Sequence, residues 1–172
     1  MKPQVMCAAA VFLVGVSPVF PASADTEARV PCGVLDQLRG SLDNDVSVGM
    51  AGVRTVITSP YISGGPQKRD AETNLALVSH GIHVLEDING AANVPGLAPL
   101  LVNLDQSNQD MTQAVEALFQ PTSGGFGYGF EYGSTISLAW PQPATWTVID
   151  YADQKKNDVY ALVNSLQPSC TP

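Results

Sequence analysis

The sequence predicts a mainly α fold of the α+β kind: a bundle of about four helices with a β-hairpin near 126–151, its termini joined by one disulfide. Three observations predict it. Apolar residues recur at helical spacing along most of the chain. Large and small residues alternate with period two from Phe126 to Trp140. Two cysteines, Cys32 and Cys170, stand near opposite ends of the segment that follows an export-type leader.

The leader comes first. Lys2 gives a basic start, an apolar run extends from Val5 to Val16, and Ser17-Pro18 breaks it before Ala22-Ser23-Ala24. A charged start, a short apolar middle and an A-x-A end form the secretory signal-peptide pattern. The run falls short of the roughly 20 residues that span a bilayer. Cleavage after Ala24 is therefore expected, and it would discard Cys7. The expected product is one secreted domain over residues 25–172, acting in a periplasm, cell envelope or extracellular space. No later stretch has membrane length, so no membrane span is expected after cleavage.

Charge narrows the partners. The chain has 16 acidic and 8 basic residues, and losing Lys2 makes the balance more acidic. Such a surface repels phosphate backbones, which excludes nucleic-acid binding as a primary role. In an oxidising compartment the isolated pair Cys32 and Cys170 reads as one disulfide. Closing so long a loop would restrict the unfolded chain by up to roughly 5 kcal/mol in the chain-entropy model. No C-x-x-C spacing supports thiol redox chemistry.

Asp25 to Pro31 reads as a short tail. From Gly33, the positions Val34, Leu35, Leu38, Leu42, Val46, Met50, Val53 and Ile57 keep helical spacing, with Gly40-Ser41 a candidate kink. Ser59-Pro60 ends this segment, and Tyr61 to Gln67 reads as a Gly/Pro loop. A second helix is expected from Arg69 or Asp70 to Asn89-Gly90, with Leu75, Val78, Ile82 and Leu85 as its apolar stripe. A third carries Leu97, Leu101, Leu104, Met111, Val115 and Leu118 at near-heptad spacing, with Asn108 interrupting the seam and Pro99 tolerable only in the first turn. It ends at Gln120-Pro121.

The alternation of Phe126, Tyr128, Phe130, Tyr132, Ser134, Ile136, Leu138 and Trp140 with small residues predicts a strand that has one aromatic face. Thr145 to Tyr151, rich in β-branched and aromatic residues, is expected to return as the second strand. The competing reading makes Thr145 to Leu166 one helix. A final helix carries Val159, Leu162, Val163 and Leu166 and brings Cys170 back towards Cys32.

Two places could hold chemistry. His80 and His83, with Asp87 four residues beyond, share a polar strip with Glu72 and Ala76. Imidazoles at i and i+3 beside a carboxylate could ligate zinc, copper or nickel. A haem reading would add Tyr128 or Tyr132. The plainer reading is a solvated helix face. The second place is the aromatic run Phe126, Tyr128, Phe130, Tyr132 and Trp140, which could hold sugars, peptides or apolar surfaces, or could simply pack as core. No G-x-S-x-G, P-loop or dinucleotide fingerprint occurs, and no cofactor is expected. The expected function is a non-enzymatic binding or structural role towards an envelope or extracellular ligand. The alternatives are a metal- or haem-binding exported protein using His80 and His83, and an envelope-polymer hydrolase using a carboxylate such as Glu131 or Glu86.

Overall fold

In a computed structural model of the chain, residues 29–58, 64–119, 143–166 and 168–169 are described. The elements are α1 (Cys32–Ser41), a π-helical turn (Leu42–Ser47), α2 (Val48–Thr58), α3 (Gly64–Ala92), α4 (Leu97–Leu118) and α5 (Pro143–Ser165). Ser41, Leu42 and Val48 all keep right-handed helical dihedrals, so α1, the π turn and α2 form one continuous rod. The four rods make an up-down-up-down bundle. Cross-contacts fix every direction. Gly49 meets Val78 and Gly52 meets Asn74, so numbers rise on the first rod as they fall on α3. Gly96 at the start of α4 meets Leu162 near the end of α5. Asp43 meets Tyr160, while Arg54 meets Asp150 and Asp153.

The apolar stripes face one another to form the core. Leu35, Leu38, Leu42, Val46, Met50, Val53 and Ile57 are buried on the first rod, Leu75, Val78, Ile82 and Leu85 on α3, and Leu97, Leu101, Leu104, Met111, Val115 and Leu118 on α4. From α5 come Ile149, Ala152, Val159 and Val163. At the position expected to kink, Gly40-Ser41, the helix continues with right-handed dihedrals and passes directly into the π turn. Leu38, Leu42, Val46 and Met50 are spaced four apart, whereas three α-helical turns take about 10.8 residues. The stripe thus carries one residue too many to stay on one face. The π turn at Leu42–Ser47 absorbs that residue and keeps Val46 and Met50 in the core.

Three other expectations are corrected. The second hairpin strand, Thr145 to Tyr151, is helical and belongs to α5. Thr145, Ile149, Ala152, Val159 and Val163 are buried at spacings of four, three, seven and four, so one face runs through the whole segment. Pro143 opens α5 where its missing N–H costs nothing. The first strand, with Phe126, Tyr128, Phe130, Tyr132 and Trp140, lies outside the described residues. Next, α3 starts at Gly64 rather than Arg69, because Pro66 falls in its first turn, where backbone N–H groups have no intrahelical acceptor. Finally, the tail before α1 is not free. Val30 is buried and forms a parallel bridge with Pro168, and Ser169 N–H donates to Val30 O at 3.0 Å.

Among the described residues no helix is long and apolar enough to cross a membrane. The α3–α4 turn needs two left-handed residues, Asn93 and Gly96. Asn89 Oδ1 accepts from Val94 N–H at 3.1 Å and so satisfies a donor inside that turn.

Candidate functional site

Two polar stripes border the apolar seam between α3 and α4. Glu72, Ala76, Ser79 and His83 recur at intervals of four, three and four; Asp105, Gln109, Thr112 and Glu116 repeat the same intervals. At 3.6 residues per turn, each set stays on one face of its helix. Together with Leu75, Asn108 and Gln113 they line an open groove of about 550 Å³. Its volume falls within the usual range for small-molecule sites. Because the helices are antiparallel, Glu72 and Glu116 share one end of the groove, and His83 and Asp105 share the other.

The floor is buried and partly polar. Leu75 is 5% exposed and Asn108 4%. Asn108 Oδ1 is buried and has no hydrogen-bond partner among the described residues. Its backbone carbonyl accepts from Thr112 Oγ1 at 2.8 Å, which positions the threonine on the wall. Leaving a buried carbonyl unpaired costs about 1–3 kcal/mol. Asn108 occupies the position where the heptad seam asks for an apolar residue, so a polar group sits within the apolar seam. On the walls, Gln109 Nε2 donates to Asp105 Oδ2 at 2.7 Å, and Lys68 Nζ lies 3.6 Å from Glu72 Oε1 at the rim. No described residue lining the groove is Lys or Arg; Glu72 is paired from the rim by Lys68, so Asp105 and Glu116 carry most of its negative charge.

The histidine strip divides. His83 lines the groove and its Nδ1 lies 3.2 Å from Glu86 Oε2. His80 and Asp87 are exposed and do not line it. Among the described residues, no group of three or more His, Cys, Asp and Glu side chains could hold a metal ion. Glu86, one of the two carboxylates considered for hydrolysis, is exposed and engaged by His83. Glu131 and the aromatic run lie outside the described residues.

A second polar cluster ties the first rod to α5. The π turn presents Asp43 to Tyr160, whose hydroxyl donates to Asp43 Oδ1, and Ser47 Oγ lies 3.1 Å from the same hydroxyl. Burial, then the hydrogen bond to Asp43, push the Tyr160 phenol above its ordinary pKa, against a smaller opposing effect of Ser47. A phenol shifted this way stays neutral at physiological pH and is a poor nucleophile or base, so the cluster reads as a fastening. Further along, Arg54 Nε and Nη2 donate to Asp153 at 2.9 and 2.6 Å, and Nη2 also reaches Asp150 at 2.6 Å. Burial raises the Asp153 pKa, but hydrogen bonds from Lys156 and Arg54 outweigh it and hold the carboxyl below its usual range.

Glu72, Asp105, Asn108 and Glu116 were not singled out as a site from the sequence. Their signal was present as the pair of matched polar stripes and the one polar residue in the α4 seam. The chain matches no known protein-family model, no curated protein and no solved structure.

Proposed function

We propose that the chain is an exported, non-enzymatic binding domain of the cell envelope or extracellular space, and that its ligand site is the α3–α4 groove. The observation that carries this reading is the buried, unpartnered Asn108 carboxamide on the floor of a concave surface of ligand size. Export is supported by the basic start, the apolar run and Ala22-Ser23-Ala24. A disulfide between Cys32 and Cys170 closes the domain in this reading. It is supported by the pairing of Val30 with Pro168 and Ser169, which brings the C-terminal segment alongside the residues just before α1.

The test is a screen of small polar fragments against isotopically labelled protein, read by amide chemical shifts. Shifts grouped on Glu72, Ser79, Asn108 and Thr112 are expected. Shifts that scatter over the surface, or none at all, would remove the groove as the site. Export and closure are checked on protein recovered from outside the cytoplasm. Its N-terminus is expected at Asp25, and no thiol should react before reduction.

A further inference from the structure

We infer that the α3–α4 groove takes an organic cation bearing N–H donors, an alkylammonium or a guanidinium, laid along the helix seam; this rests on the groove being the ligand site. Charge gives the first argument. Glu72, Asp105 and Glu116 line the groove and no described lysine or arginine does; with Lys68 pairing only Glu72 from the rim, the groove keeps a net negative charge that repels an anion and attracts a cation. Spacing gives the second. Asp105 and Glu116 are eleven residues apart on α4, about 16 Å along the axis. No three ligating side chains converge among the described residues, so the arrangement suits an extended organic cation better than a bare metal ion.

Asn108 supplies the independent observation. Its carboxamide is nine-tenths buried, and Oδ1 has no partner. Oδ1 is itself fully covered, so it accepts from a ligand only when the carboxamide turns about its broad terminal torsion towards the groove. The three carboxylates are acceptors too, each with room beyond its present contact. Gln109 uses one site on Asp105, and Lys68 approaches Glu72 from the rim. N–H donors on a ligand therefore have acceptors to meet in the three carboxylates and, once turned, the Asn108 carbonyl. Leu75 on the floor gives an apolar surface beneath the methylenes between two charged ends.

The experiment is calorimetric titration of the purified, oxidised protein at about 0.1 M salt with spermidine and with agmatine. Choline serves as a cation without N–H donors, and MgCl2 as the inorganic control. Spermidine or agmatine should bind at least tenfold more tightly than choline. Asn108→Leu should lose at least tenfold in affinity while its thermal midpoint holds or rises, which a merely structural asparagine would not do. Should Asn108→Leu fail to fold, Glu116→Gln, at an exposed position, should weaken amine binding severalfold. Equal binding of choline and MgCl2 would reduce the site to adventitious counterion attraction and overturn the inference. So would unchanged affinity in Asn108→Leu, or in Glu116→Gln, or the absence of amine binding. If uncharged polar fragments shift the groove amides and amines do not, the groove stands and the cation assignment falls; if neither does, both fall.

Discussion

Gly49 sits where the first rod packs closely against the backbone of α3. A Cβ built there would lie 2.6 Å from Val78 Cγ2, 2.7 Å from the carbonyl oxygen of Asn74 and 3.0 Å from Val78 N. Carbon pairs rest at about 3.5–4.0 Å, so Gly49→Ala must open the seam by close to 1 Å. Little can yield locally, because a helical valine has one strongly preferred rotamer and the other two atoms are backbone. Overpacking of this kind costs about 1–3 kcal/mol. The gain in helix propensity from glycine to alanine offsets about 1 kcal/mol of it.

Gly40 provides the control, since it also lies within a helix and a Cβ there meets nothing within 4 Å. Gly40→Ala should stabilise by about 0.5–1 kcal/mol. Both substitutions change the unfolded chain in the same way, so their difference isolates the contact. Urea unfolding should place Gly49→Ala about 1–3 kcal/mol below Gly40→Ala, and thermal melts should separate them by roughly 3–10 °C. Agreement of the two within about 0.5 kcal/mol would show that the rods do not approach as described.

Leu104 is fully buried, and Leu104→Ala should cost about 2–5 kcal/mol in urea unfolding. Tyr160→Phe removes the hydroxyl that joins Asp43 and Ser47 and should cost about 0.5–1.5 kcal/mol. The raised pKa of Tyr160 means that its contribution is complete below the ordinary tyrosine pKa and is lost as pH climbs through the folded value; ultraviolet titration should show one late-ionising tyrosine that is missing from the variant. The lowered pKa of Asp153 gives the opposite sign. Its stabilisation is present above the ordinary aspartate pKa and fades as pH falls through the folded value, so Asp153→Asn should be less stable than the parent at pH 7 and closer to it at pH 3.

Local periodicity was enough to find the helices and most of the core. Leu75, Val78, Ile82 and Leu85, and the α4 series from Leu97 to Leu118, are buried as their spacing implies, because a stripe repeating near 3.6 residues can hide from water only on a helix packed against others. The same logic, applied to four-residue steps from Leu38 to Met50, contained the π turn, although the register excess was not read. At Thr145 to Tyr151 β-branched and aromatic content suggested a strand, whereas the burial of Thr145, Ile149 and Ala152 follows a helix. Intrinsic strand preference spans only about 1 kcal/mol, and a continuous helical face against α4 and the first rod outweighs it.

The groove needed the tertiary structure. Periodicity places Glu72 and Glu116 on faces of their own helices, but it does not say which helices are neighbours or at what height. Antiparallel packing of α3 on α4 sets those heights. It brings Glu72 level with Glu116 and leaves Asn108 unpaired on the floor between the ends. The acidic balance is a property of composition and the helical stripes are properties of near neighbours along the chain, so the amino-acid sequence alone determined them. The groove depends on residues from two helices meeting across a seam, and only packing decides which ones meet.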